Sequence, residues 1–162
     1  MYYSPIKKVS CFDCETEFEK LSKNYYEQFN EENKIYGVME GITMICPPKN
    51  QLIKGTCLFT EIDKIRAVKI DTEQLALAIF EIIYNGNLYG TIYFYSYKSS
   101  CKYCQDTSLL YISKYKNLKI KYFYIKDYSL YHEIKTESGK IIVEEETIPK
   151  IKNRRIKFKK LE

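Results

Sequence analysis

Tryptophan is absent, histidine occurs once, and the chain carries only six glycines and four prolines among 162 residues. So little glycine and proline argues against long flexible loops, and no repeat or low-complexity segment interrupts the chain. No apolar run approaches the roughly 18–20 residues that cross a bilayer, so no membrane role is expected. The opening "MYYSPIKKVSCFDC" lacks the apolar core of a secretory signal, and the expected location is cytoplasmic. The lone His132 has no patterned partner and reads as a surface or turn residue.

Present in excess are tyrosine (17 copies), isoleucine and lysine, a mixture that favours strands. Net charge is +5 and uneven. Residues 1–70 balance ten basic groups against ten acidic, whereas residues 149–162 hold seven basic and one acidic. A basic terminal segment can meet nucleic acid or an acidic protein partner; the neutral body argues against a large nucleic-acid footprint.

Six cysteines, at 11, 14, 46, 57, 101 and 104, are many for a reducing compartment. There they suggest redox or metal chemistry before a disulfide framework. Cys11, Cys14, Cys46 and Cys57 form a C-x2-C…C-x10-C set, and four thiolates suit tetrahedral zinc. The readings that compete are a Cys11–Cys14 or Cys46–Cys57 disulfide, or unlinked thiols.

Periodicity organises the chain as α/β. Cys14–Asn33 reads as an amphipathic helix with Phe18, Leu21, Tyr25 and Phe29 on its apolar side. Strand candidates follow at Ile35–Met39, Ile42–Cys46 and within "QLIKGTCLFTEI". A boundary near residues 61–65 divides an N-terminal α+β extension (1–64), zinc- or disulfide-stabilised, from a second unit (65–162). That unit reads as a strand at Ile65–Ile70, Asp71 and Thr72 as helix caps, and a helix in "EQLALAIFEIIYNG". Leu75, Ile79, Ile82 and Ile83 form the helix's apolar side. A central strand in "LYGTIYFYSY" comes next, then a helix over 101–115 and a strand in "LKIKYFYIKD". A short helix or turn in "YSLYHEIKTESG" precedes an antiparallel terminal hairpin about Asn153-Arg154. Strands separated by helices imply a mostly parallel sheet covered by helices.

Cys101 and Cys104 fall just past the central strand, at a helix start. Unpaired first-turn amides and the helix dipole stabilise a thiolate there. Cys101 could attack a disulfide and Cys104 resolve the mixed intermediate. The competing readings are half of a metal site or buried filler.

The stretch "YFYSYKSSCKYCQDTSLL", with "ETIPKI" 48 residues on, resembles the thioredoxin-like superfamily and its glutaredoxin branch, over residues 65–160. The resemblance implies a thioredoxin-like mixed sheet flanked by helices and a thiol–disulfide oxidoreductase acting on protein thiols or disulfides. Cys101 would be the nucleophile and Cys104 the resolving thiol. Pro149 would be the cis-proline opposite them, and Lys102, Tyr103, Thr147 and Ile148 would be the cofactor-binding residues. Lys102 replaces the family's central proline or glycine, and Ser100 stands where thioredoxins carry tryptophan. The closing glycine pair is missing, which argues against glutathione as cofactor. The competing function is a non-enzymatic zinc-binding or adaptor protein whose basic C-terminal segment contacts nucleic acid or a protein.

Overall fold

The computed structural model describes residues 6–29, 41–52, 54–62 and 72–161. Its centre is β4 (Gly90–Lys98), buried on both faces as a run without polar alternation requires. Around it lie β1 (Lys7–Val9), β2 (Gly41–Cys46), β3 (Cys57–Ile62), β5 (Leu118–Lys126) and β8 (Ile156–Lys160), in the order β1-β3-β2-β4-β5-β8. β1 with β3, β3 with β2, and β2 with β4 are antiparallel; β4 with β5 and β5 with β8 are parallel. Two reversals, β4 to β2 and β2 to β3, leave β3 running in the same direction as β4, β5 and β8.

Helix α1 (Cys14–Phe29) covers one sheet face. Its Phe18 is fully buried, stacks on Tyr93 and meets Phe123 at a tilt, with ring centroids 5.5 and 5.6 Å away. Deleting such a ring leaves a cavity, so Phe18→Ala is expected to cost about 3–5 kcal/mol. A denaturant midpoint lowered at constant slope is the measurement. Helices α2 (Thr72–Ile83) and α3 (Lys102–Lys114) cover the other face through Leu77, Phe80 and Ile112, packed against Ile92, Phe94, Ile120 and Tyr122. The result is an α/β architecture, a mixed central sheet flanked by helices with a cysteine-containing N-terminal extension. It is generally consistent with a thioredoxin-like fold without singling out a branch.

Three sequence expectations are corrected. The buried side of α2 is Glu73, Ala76, Leu77 and Phe80, while Ile82 is 76% exposed and Ile83 is also exposed. The helix is apolar nearly all round, so spacing alone does not select a face. Segment 128–139 is not helical. It forms β6 (Ser129–Lys135) and a Thr136–Gly139 turn leading into β7 (Ile141–Thr147), in a separate antiparallel two-stranded sheet. Gly139 supplies the positive φ of that turn. The terminal segment makes no antiparallel hairpin of two strands; β8 joins the main sheet parallel to β5.

The main sheet includes strands on both sides of the expected boundary at residues 61–65. Strand candidates Ile35–Met39 and Ile65–Ile70, the cap Asp71, and the side chains of Phe29 and Thr72 lie outside what the structure describes. No described helix is long and apolar enough to cross a membrane.

Candidate metal centre and helix-start thiol site

Two thiol sites lie in different parts of the molecule. The first is built where β1 leads into α1. Cys11 and Cys14 end that connection, and the β2–β3 hairpin brings Cys46 and Cys57 to the same place. Cys46 closes β2, Cys57 opens β3, and Cys57 pairs with Val9 of β1. The hairpin therefore makes the ten-residue separation of Cys46 and Cys57 irrelevant to their distance in space.

All four sulfurs lie within 4.8 Å of one another, with Cys14 Sγ and Cys57 Sγ 3.6 Å apart. Tetrahedral ligands at a zinc–sulfur distance of about 2.3 Å stand about 3.8 Å apart, so the donor set fits such an ion. Cys14, Cys46 and Cys57 are buried and Cys11 half-buried. Burial pushes the thiols of Cys11 and Cys46 far up and that of Cys14 up; neighbouring cysteines add to the rise at Cys11 and Cys46. Four thiolates would not share this pocket without a cation to compensate them. The cluster is thus able to coordinate a metal ion. Cys11–Cys14 also sits near the start of α1, as a redox C-x-x-C would. No disulfide joins any of the six cysteines.

The second site lies at the carboxyl ends of β3 and β4. These strands point the same way and are followed by α2 and α3, so the two helices start at one edge of the sheet. A crevice outside the carboxyl ends of strands is where α/β sheets place ligands, and both helices turn their positive ends toward it. Cys101 is the N-cap of α3 and half-buried; Cys104, one turn on, is 1% exposed. Their sulfurs are 3.4 Å apart. Cys104 Sγ is also 3.4 Å from a carboxylate oxygen of Glu73, in the first turn of α2. Glu73 is only 7% exposed, and its other oxygen lies 3.3 Å from Ser96 Oγ, whose hydroxyl is shared with Lys98 O at 2.7 Å.

Below lies Tyr122, whose hydroxyl contacts Ser108 Oγ. Burial, then the nearby Glu73 carboxylate, raises its phenol well above the usual range. Gln105, also buried, donates to Ser100 O and Pro149 O, both at 3.1 Å, and accepts from Ile151 N at 2.8 Å. Ser99 Oγ accepts from Tyr128 N at 2.7 Å. Both legs of the β6–β7 hairpin are thereby tied to the serines that precede Cys101.

Of the residues implied by the glutaredoxin resemblance, Cys101 and Cys104 come together. Lys102 is exposed and Tyr103 is 77% exposed, so both face solvent on the first turn of α3. Thr147 closes β7, exposed and opposite Ser129, and Ile148 bonds Tyr128 O. Pro149 reaches the site only through its carbonyl on Gln105. No cis peptide bond occurs among the described residues, so the expected cis-proline platform is corrected to an ordinary trans bond. Sequence reasoning missed Glu73, Ser96, Gln105 and Tyr122. The available signal was a glutamate opening one helix with a C-x-x-C opening the next.

Compared with known proteins, the chain matches no family model and no curated protein.

Proposed function

We propose that this chain is a zinc protein whose second site performs metal-assisted hydrolysis, specifically the deamination of a nucleobase. The four-cysteine cluster holds zinc structurally. The reading of the second site is carried by one observation: the buried Glu73 carboxylate beside the Cys101–Cys104 pair. A buried carboxylate beside one buried and one half-buried thiol calls for protons or a cation to offset the charge of their ionised forms.

Zinc nucleobase deaminases combine a C-x-x-C pair of ligands with a glutamate that is not a ligand, placed two residues after a third ligand in an H-x-E signature. Here the helix starts read Asp71-Thr72-Glu73 and Ser100-Cys101-Lys102-Tyr103-Cys104. In sequence, Asp71 stands where that signature has its histidine. Zinc, when bound by such a set, lowers the pKa of a coordinated water to about 7. Glu73 would hold and return the proton that such chemistry moves from water to the departing amine. Water adds at the ring carbon, the exocyclic C–N bond breaks, and ammonia leaves with no change of oxidation state. Ser96 orients the Glu73 carboxylate, and Gln105 fixes the loop in front of α3.

Zinc content of protein purified without chelator is expected to be two per chain, and one per chain in Cys104→Ser. Ammonia release from oligonucleotides and nucleosides bearing cytosine or adenine is the activity assay. A wild-type protein holding two zinc ions that releases none from either base sinks deamination.

The 3.4 Å separation of the sulfurs at a helix start favours a second reading, the thiol–disulfide oxidoreductase. It expects no zinc at this site and dithiol-dependent disulfide reduction abolished in Cys101→Ser.

A further inference from the structure

On the α1 side of the sheet, near the β8 edge, β5 and β8 present lysines to each other. Lys119 and Lys121 share one face of β5 by strand alternation. Lys121 stands opposite Lys157 of β8 in register, and Phe123 opposite Lys159. Like charges side by side on one sheet face are destabilising. Burial, then Lys159, pushes the Lys121 ammonium below its ordinary range.

Helix α1 compensates part of this charge. Glu15 pairs with Lys121, and Glu19 with Lys159 at 2.6 Å. The Arg155 guanidinium is committed to four backbone carbonyls at the end of α3, those of Ile112, Tyr115, Lys116 and Leu118. Lys119, Arg154 and Lys157 remain. All three are exposed, and none has an acidic group within ion-pair distance among the described residues. With Glu15 and Lys121 they line one concavity of ≈ 520 Å³.

We infer that this concavity binds the phosphate backbone of a polynucleotide. Three uncompensated cations around a hollow, on a face already crowded with like charge, gain most from a ligand that brings several negative charges at fixed spacing. The choice of a polynucleotide over an acidic protein rests on the nucleobase chemistry proposed for the other end of β4. The concavity contains Lys119, beside Thr91 near the start of β4, whereas Cys101 follows its end. Nine residues of strand put about 30 Å between the two regions, so the basic surface holds a chain and does not present a base.

The test is fluorescence anisotropy of the full chain with a labelled 20-nucleotide single strand. Three phosphate contacts at the single-strand salt slope predict binding about 20-fold weaker at 200 mM than at 50 mM salt. Lys119→Glu combined with Lys157→Glu is expected to weaken binding at 50 mM by more than tenfold, with zinc content and circular dichroism unchanged. Glu73→Gln is expected to bind as wild type, which separates this inference from the hydrolytic one. Unchanged affinity in the lysine double variant, or a salt-independent affinity, overturns the proposal. Equal competition by a polyglutamate of matched charge overturns it in favour of an acidic protein partner.

Discussion

Stripping the four-cysteine site of the zinc proposed for it is expected to unfold the α1 side of the molecule, and Cys57→Ser is expected to do the same without chelator. Cys57 is fully buried where β1, β3 and the start of α1 meet. Cys11 and Cys14 anchor the leading end of α1, whose Phe18 covers Tyr93 and Phe123. Releasing the sulfurs therefore loosens the helix that shields one face of the sheet. Structural zinc contributes about 10–16 kcal/mol in zinc-finger peptides, while whole domains hold only about 5–15 kcal/mol of net stability. Even a fraction of the metal's contribution decides whether this part folds. At about 2–4 °C per kcal/mol for a chain of this size, a loss of several kcal/mol lowers Tm by more than about 10 °C. Thermal unfolding followed by circular dichroism, with zinc loss verified by metal analysis, is the measurement. An unchanged Tm after complete zinc removal would leave the cluster as ordinary buried thiols.

The same site sets a pH dependence. Burial holds the metal-free thiols of Cys11, Cys14 and Cys46 protonated at neutral pH. Metal binding must displace those protons, so zinc affinity rises with pH and falls as acid is added. The zinc-dependent part of the stability is expected to be lost on acidification, and the release of protons on zinc addition is measurable in weakly buffered solution.

How much of this was legible in the sequence depended on how many alternatives each segment left. "TIYFYSY" could only be a strand buried on both faces, and C-x-x-C after it could only open a helix, so β4 and α3 were readable. In α2, Leu75, Leu77, Ile79, Phe80, Ile82 and Ile83 cover most of the circumference, and only the sheet below decides which of them turn inward. The β6 segment, with Leu130, Tyr131 and Ile134 among polar residues, carries both helical and strand spacing. Pairing with β7, which follows it across the Gly139 turn, resolves it as strand. The metal cluster was legible as a donor set but not as a geometry, since the β2–β3 hairpin is what returns Cys57 to Cys46. Glu73 was not legible as a site residue from its own segment, only from its pairing with the C-x-x-C that opens the next helix. An acid in the first turn of a helix is what the helix dipole alone would favour, and nothing local distinguishes a dipole partner from a buried carboxylate. Only the shared direction of β3 and β4 brings the start of α2 beside Cys104.

Glu73→Gln is the sharpest test of that juxtaposition. The amide keeps the size of the side chain and its hydrogen bond from Ser96 but cannot accept and return a proton. General acid–base groups contribute about 10²–10⁴-fold to rate, so ammonia release is expected to fall by at least about a hundredfold with substrate KM little changed. Zinc content is expected to stay at two per chain, because Glu73 is assigned to proton transfer and not to coordination. Ser96→Ala, which leaves the carboxylate in place but less well oriented, is expected to cost less. If Glu73→Gln instead loses one zinc, the carboxylate is a ligand and the proton must be carried by another group. Hydrolysis that persists unimpaired in Glu73→Gln would mean that the 3.4 Å contact of carboxylate and Cys104 thiol serves packing alone.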